Sequence, residues 1–275
     1  MRRIVFILII DLLGLLFQSY AQGNLIITPK RVVFEGKKQK EELNLVNLGK
    51  EPATYTISFT QRNMKEDGSF EIIDKPDSGQ LFADPYLRVF PRQVTLAPGE
   101  AQVIVLQCRR KPDMLPGEYR SHLAFRYEKN YKPLGMESSS NDSSLVNIQL
   151  MPKFGMSIPV IIRSGVVDAT VALSNLKLET QQDSIQYLSL TINRMGNISV
   201  YGNIMVEYQP AQGKPYQVGG IKALAVYTNI AKRNVLVKLS LPSAYSFKKG
   251  KLKVRYTSSD DAKYEVYAEE ELQLK

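Results

Sequence analysis

The sequence contains a single histidine, His122, so a zinc site built from several histidines is excluded. His122 lies on the polar side of an alternating run, beside Arg120 and Arg126, and this position predicts an exposed histidine rather than a catalytic base. The carboxylate groups at Asp260-Asp261 and Glu269–Glu271 are predicted to be solvated surface charge. No glycine-rich phosphate loop follows a predicted strand. The sequence therefore predicts a protein that is not an enzyme and that needs no cofactor or metal.

Cys108 is the only cysteine, so an internal disulfide is impossible. It ends the apolar run 103–108, where a free cysteine is expected to behave as a small buried hydrophobic residue. The formal net charge is +9, but lysine and arginine are scattered along the chain without a basic run. This pattern argues against nucleic-acid binding and leaves an acidic or carboxylate partner open.

The first residues have the three parts of a secretory signal peptide. Met1-Arg2-Arg3 is positively charged, residues 4–17 are largely apolar, and Ser19-Tyr20-Ala21 places small residues at a cleavage site after Ala21. Asp11 interrupts the apolar run, which favours a cleaved peptide over an uncleaved membrane anchor. We therefore expect a signal peptide at 1–21, export to the periplasm and no stable membrane insertion.

The elements that must position any site are strands, because the hydrophobic pattern has a period of two almost everywhere. Apolar residues alternate with polar ones within 43–45, 54–60, 119–127, 188–192, 204–208, 235–241 and 252–256. Turn sequences with glycine or proline, such as Glu66-Asp67-Gly68 and Ala97-Pro98-Gly99-Glu100, separate these runs. Short strands with this punctuation predict an all-β protein made of two immunoglobulin-like β-sandwich domains.

A domain boundary is predicted at Arg163-Ser164-Gly165, since an apolar run stops at Ile162 and a new alternating pattern begins at Ala169. This gives an N-terminal domain over 22–165 and a C-terminal β-sandwich domain over 166–275, joined by a short hinge.

The last strand of the first domain, Asn147–Ile162, is longer than the usual five or six residues. One interpretation is a bent or bulged strand that crosses between the two sheets. The other is a strand with exposed alternate hydrophobic residues that pairs with the sheet of another protein. Pro152 interrupts the run, as is typical of edge strands.

Several segments resemble the periplasmic pilus-assembly chaperones of chaperone–usher systems. The resemblance is carried by Ile26–Gly36, Leu43–Asn47, Leu96–Glu100, Leu115–Ser121 and Ile158–Arg163. The fourth segment is similar to the family's Leu-Pro-x-Asp-Arg-Glu-Ser block, with Glu118-Tyr119-Arg120 in place of its acidic-Arg-Glu order. The likeness covers about residues 24–165 well and is weak beyond them.

The resemblance implies a chaperone that caps incomplete immunoglobulin-like pilus or fimbrial subunits by donating a strand. The donated residues would be Ile148, Leu150, Phe154 and Met156. Implied partners are these subunits and an outer-membrane usher, with the free chain monomeric or weakly self-associating. The alternative is a structural or adhesive fimbrial protein built of two such domains.

The resemblance also implies that two basic residues hold the subunit's C-terminal carboxylate. The first position falls on Arg31, and an arginine suits this task because it binds a carboxylate with two parallel hydrogen bonds. The family's second position, a lysine, falls on Pro159. Lys153 and Arg163 are the alternatives for that role.

Overall fold

The computed structural model of the protein describes residues 25–128, 155–180, 185–240, 247, 249–260 and 262–274. These residues form seventeen β-strands and one short 3-10 helix, Asp84–Tyr86. The predicted all-β class is confirmed. The predicted turns are confirmed at Gly68 and Gly99, whose φ angles of 84° and 75° lie in the left-handed region that glycine adopts without strain.

Ten strands build the first sandwich. They are β1 (Leu25–Thr28), β2 (Val32–Phe34), β3 (Lys40–Asn47), β4 (Ala53–Met64), β5 (Phe70–Ile73), β6 (Leu87–Phe90), β7 (Gln93–Leu96), β8 (Ala101–Cys108), β9 (Gly117–Glu128) and β10 (Gly155–Ser164). One sheet has the order β1-β3-β8-β6. The other has the order β2-β10-β9-β4-β5, and β7 also pairs with β4.

Seven strands build the second sandwich. They are β11 (Ala169–Thr180), β12 (Gln186–Gly196), β13 (Val200–Pro210), β14 (Tyr216–Val226), β15 (Lys232–Lys238), β16 (Gly250–Ser258) and β17 (Val266–Leu274). Their sheets have the orders β11-β12-β15 and β14-β13-β16-β17.

Each sandwich encloses its own hydrophobic core. The first core includes the predicted inward residues Leu43, Leu45, Tyr55 and Ile57, and it also buries Cys108 as predicted. The second core includes the predicted residues Leu188, Leu190, Ile192, Ile204, Val206, Tyr208, Val235, Val237, Leu239, Leu252, Val254 and Tyr256. Period-two alternation therefore identified most of the second core and part of the first, because one face of each strand packs against the facing sheet.

The buried residues of the first core extend to Ile162, and those of the second begin at Leu173, on the two sides of the boundary predicted between residues 165 and 166. Gly165 has a φ of 65°, and a side chain there would bring its Cβ 2.9 Å from Cβ of Pro116. A residue without a side chain is therefore needed at this position. The boundary itself stays a prediction.

The chain changes sheets between β1 and β2. Strand β1 pairs antiparallel with β3 in one sheet, whereas β2 pairs parallel with β10 in the other, with Val32 opposite Val160. Arg31 directly precedes β2, so this crossover fixes its backbone beside β10. The other side of β10 pairs with β9 along its whole length, from Gly155 to Ser164.

The hairpin formed by β4 and β5 touches the second sandwich. The Nδ2 group of Asn229 donates to Oδ1 of Asn63 at 2.5 Å and to the carbonyl oxygen of Met64 at 2.7 Å. The backbone N–H of Asn234 donates to the carbonyl oxygen of Glu66 at 2.7 Å. These bonds join the two sandwiches.

Candidate functional site: an arginine cluster between the two sandwiches

Arg31 places its guanidinium group at the junction of the two sandwiches. Its Cζ atom lies 4.5 Å from the ring centroid of Tyr201, which belongs to β13 of the second sandwich. Its Nη2 atom is buried and has no hydrogen-bond partner among the described residues. Burial lowers the pKa of Arg31, and the charges of Arg120 and Arg163 lower it further, partly offset by Glu118. An arginine stays protonated despite such a shift, so the junction holds a positive charge with spare hydrogen-bonding capacity.

Glu118, in β9, is the buried carboxylate of the junction. Its side chain is fully buried and accepts hydrogen bonds from Nη2 and Nε of Arg120 at 2.5 and 3.1 Å. It also accepts from the backbone N–H and the hydroxyl of Ser199, in the second sandwich, at 3.0 and 2.7 Å. Burial alone would raise the pKa of Glu118, but Arg120 and the bonds from Ser199 hold it below its usual value. Glu118 is therefore ionised and joins the two sandwiches.

Arg120 lies two residues further along β9 and points to the same side. Its guanidinium group stacks on Tyr227 at 3.7 Å and donates to the hydroxyl of Ser199 at 2.6 Å. Burial alone would lower its pKa, but the charge of Glu118 raises it. Arg120 is thus fully engaged by its neighbours, unlike Arg31.

Arg163, near the end of β10, completes the group. Its Nη1 atom lies 3.5 Å from the carboxylate of Glu35, an exposed residue, and its Nε atom lies 4.0 Å from Oε2 of Glu118. The Nε atom is buried without a hydrogen-bond partner among the described residues. We call Arg31, Arg120, Arg163 and Glu118 the arginine cluster. Three guanidinium groups face one buried carboxylate there, so the cluster carries excess positive charge and favours an anion.

His122 corrects a prediction. The sequence predicted an exposed side chain, but the residue is 4 % exposed and stacks against Tyr227, with 3.1 Å between its Nε2 atom and the Tyr227 hydroxyl oxygen. Burial, with the charges of Arg120 and Arg62, lowers its pKa to about 3. The prediction was wrong because the face of β9 that would meet water in an isolated sandwich is covered by the second sandwich.

The structure brings together only some of the predicted site residues. Arg31 and Arg163 both lie in the arginine cluster. Met156, in β10, is 44 % exposed, and Pro159 lies opposite His122 in the pairing of β10 with β9. The remaining predicted residues, Ile148, Leu150, Lys153 and Phe154, lie outside the described residues, as do Pro152 and the predicted signal peptide.

Three residues at the arginine cluster were not predicted as site residues from the sequence: the pair Glu118 and Arg120, and Tyr201, whose ring faces Arg31. A usable signal existed for the first two, since Glu118, Arg120 and His122 are spaced by two and must share one face of a strand. No comparable signal marks Tyr201, because its role depends on how the second sandwich packs against the first.

Among the described residues, one edge of β10 has a partner strand over only part of its length, and the uncovered part lies beside the arginine cluster. Strand β2 covers that edge only from Val160 to Ile162, and residues 155–159 have no strand on that side among the described residues. A strand that continued the β2 ladder, in the same direction as β2, would end next to Arg31. A terminal carboxylate on such a strand would lie at the arginine cluster, whereas a C-terminal strand in the opposite direction would carry its carboxylate to the other end of the edge, beside Gly155.

No family model matches the sequence, and no curated protein matches it. Solved structures do match. The chain is similar in fold to fimbrial chaperones. The YadV chaperone is 14 % identical, with 92 % of this chain and 100 % of that chain covered and a TM-score of 0.45.

Two further solved structures come from named bacteria. The CsuC–CsuE chaperone–tip adhesion subunit pre-assembly complex, from the archaic chaperone–usher Csu pili of Acinetobacter baumannii, is 14 % identical, with coverages of 89 % and 97 % and a TM-score of 0.44. The CupB2 chaperone of Pseudomonas aeruginosa is 15 % identical, with coverages of 91 % and 100 % and a TM-score of 0.40. The likeness is one of overall fold.

Within the described residues, no helix is long and apolar enough to cross a membrane, and no group of acidic, histidine or cysteine side chains is arranged to hold a metal ion. The chemistry that the arginine cluster offers is recognition of an anion rather than a bond-making step.

Proposed function

We propose that this chain is a periplasmic chaperone that caps incomplete immunoglobulin-like fimbrial subunits by donor-strand complementation. The observation that carries the proposal is the position of Arg31. Among the residues that the structure describes, its buried Nη2 atom has no hydrogen-bond partner and lies at the end of the part of β10 that β2 leaves uncovered. The signal peptide predicted from the sequence provides the export that this role needs.

Two contributions to binding follow from the geometry. Main-chain hydrogen bonds between β10 and a subunit strand would each add about 1 kcal/mol, and alternate side chains such as that of Met156 would enter pockets of the subunit. The subunit's terminal carboxylate would bind Arg31, with Arg163 as the second basic residue. An ion pair that is partly buried in this way is stronger and more directional than a surface pair.

Charge favours one direction for the partner strand. A subunit strand parallel to β10 presents its carboxylate to the arginine cluster, and the carboxylate offsets the repulsion among the three guanidinium groups. In an antiparallel arrangement the last residues of the subunit would carry their carboxylate to the Gly155 end of β10, away from the arginine cluster. We therefore propose that the last residues of the subunit run parallel to β10.

The experiment is co-expression with an immunoglobulin-like fimbrial subunit that lacks its last strand, followed by size-exclusion chromatography with light scattering. We expect a 1:1 complex, which is lost with Arg31→Gln and kept with Lys37→Gln, an exposed control. Extending the subunit by two glycines moves its carboxylate away from Arg31 and should weaken the complex. Self-assembly of the free chain into polymers, without a 1:1 complex, would instead support the structural-subunit alternative.

A further inference from the structure

The ring that faces the guanidinium group of Arg31 comes from the other sandwich. Tyr201 lies in β13, and the 4.5 Å distance from Cζ of Arg31 to its ring centroid is within the range of a cation–π interaction. Arg31 has no ion pair among the described residues. Its neighbours Arg120 and Arg163 repel it, and the charge of Glu118 attracts it. The face of the Tyr201 ring adds an attractive contact from the second sandwich to that of Glu118.

The backbone around Tyr201 is tied to both sandwiches. Ser199, two residues earlier, is bonded to Glu118 of the first sandwich through its N–H and its hydroxyl. The hydroxyl of Tyr267 donates to the carbonyl oxygen of Tyr201 at 3.4 Å, and Tyr201 pairs with Ala225 of β14. The ring consequently reaches Arg31 only when the second sandwich is docked against the first.

We propose that Tyr201 is the positioning residue of the carboxylate site, so that carboxylate binding by Arg31 depends on the docking of the second sandwich. This inference rests on the proposed function, because it assigns carboxylate recognition to Arg31. Without the ring, Arg31 loses its contact with the second sandwich, and the repulsion from Arg120 and Arg163 is then opposed only by the charge of Glu118, so the side chain is held less firmly. A carboxylate must then order a mobile arginine as it binds, which lowers affinity.

Acetate is a suitable probe because it carries the carboxylate without the rest of a subunit. Binding is followed by the NMR shift of the Arg31 Nε–H signal during titration with sodium acetate, with sodium chloride at equal ionic strength as the reference. We expect Tyr201→Phe, which keeps the ring, to bind acetate within about two-fold of the wild type. Tyr201→Leu should bind roughly ten-fold more weakly. Tyr264→Leu, a change at a tyrosine that is 70 % exposed, is the matched control and should have no effect.

A second readout uses the absence of tryptophan from the sequence. Tyr201→Trp places the only tryptophan of the protein under Arg31, and its emission should change with acetate in a saturable way. The change should vanish in the double variant with Arg31→Gln. This variant also tests the inference if Tyr201→Leu fails to fold.

The outcomes separate the inference from the proposed function. Equal acetate affinity in the wild type and Tyr201→Leu, or equal losses in Tyr201→Phe and Tyr201→Leu, would overturn the role of the ring. No acetate binding at Arg31 in the wild type would also overturn it. Ring-dependent acetate binding without any complex with a fimbrial subunit would uphold Tyr201 as the positioning residue and reject the chaperone proposal.

Discussion

Glu118→Gln removes one negative charge from the junction and no heavy atom, so it tests electrostatics without leaving a cavity. The carboxylate accepts two hydrogen bonds from Arg120 and two from Ser199. An amide has one oxygen atom, and its NH2 group must face either the guanidinium group or the Ser199 donors. The variant therefore leaves a buried arginine without its counter-charge.

The expected loss of stability is large. Removing one partner of a buried ion pair costs about 3–5 kcal/mol because the other charge stays buried. The side chains of Glu118 and Arg120 are 0 % and 9 % exposed, so solvent compensates little of that cost. For a chain of this size, each 1 kcal/mol shifts the melting temperature by about 2–4 °C, which gives a decrease of roughly 10 °C.

Glu42→Gln is the control. Glu42 pairs with Lys40 at 2.7 Å, but its side chain is 56 % exposed, and surface pairs contribute about 0–1 kcal/mol. Unfolding in urea is followed by far-UV circular dichroism, since the chain has no tryptophan. If both variants lose the same free energy of unfolding, the role assigned to Glu118 is wrong.

The pH dependence gives an independent check. The folded pKa of Glu118 lies below its unfolded value, because the effects of Arg120 and Ser199 outweigh burial. Its contribution to stability is therefore fully present above the unfolded pKa of about 4.3, and it is lost as the pH falls through the folded pKa. The gap between wild type and Glu118→Gln should be full at pH 7 and should narrow below about pH 4. A gap that stays constant down to pH 2 would contradict this reasoning.

Three further predictions concern neighbouring residues. The pKa of His122 in the folded protein is about 3, so the folded protein resists protonation of this side chain. The free energy of unfolding should therefore fall by up to about 1.4 kcal/mol per pH unit as the pH drops from 6.5 to 5. This pH dependence should be weaker in His122→Gln, and an equal pH dependence in the variant and the wild type would contradict the prediction. Met156→Glu should change the stability of the free chain by less than about 0.5 kcal/mol, because the residue is 44 % exposed, yet it should weaken the subunit complex in a pull-down. Arg31→Gln removes a partly buried charge that Arg120 and Arg163 repel, so the melting temperature should stay unchanged or rise. The same variant should abolish the complex with the subunit. A large loss of stability would mean that Arg31 is a structural residue.

The sequence was sufficient for the all-β class, for most of the second core and for part of the first, because alternation with a period of two reports directly which face of a strand is buried. Leu43, Tyr55, Leu188 and Val254 were all identified in this way. Burial of Cys108 was predicted separately, from the usual behaviour of a free cysteine in an apolar run. Such local signals need no knowledge of how the sandwiches pack against each other.

The site was only partly predictable for a physical reason. Alternation shows that Arg120 and His122 point away from the first core, but it does not show that a second sandwich covers them. The same limit hid Tyr201, whose contact with Arg31 joins residues 170 positions apart. Arg31 itself was predicted by resemblance, and its unpartnered Nη2 atom is a property of the folded chain.

The most direct test of the central claim is hydrogen exchange on the 1:1 complex with a fimbrial subunit that lacks its last strand. The backbone amides of Gly155 to Ile158 lie in the part of β10 whose outer edge has no partner strand among the described residues. Capture of a subunit strand along that edge predicts that the outward-facing amides gain protection in the complex, and that Arg31→Gln or a two-glycine extension of the subunit reverses the gain. Exchange in this segment that is the same in the free chain and in the complex would contradict the claim.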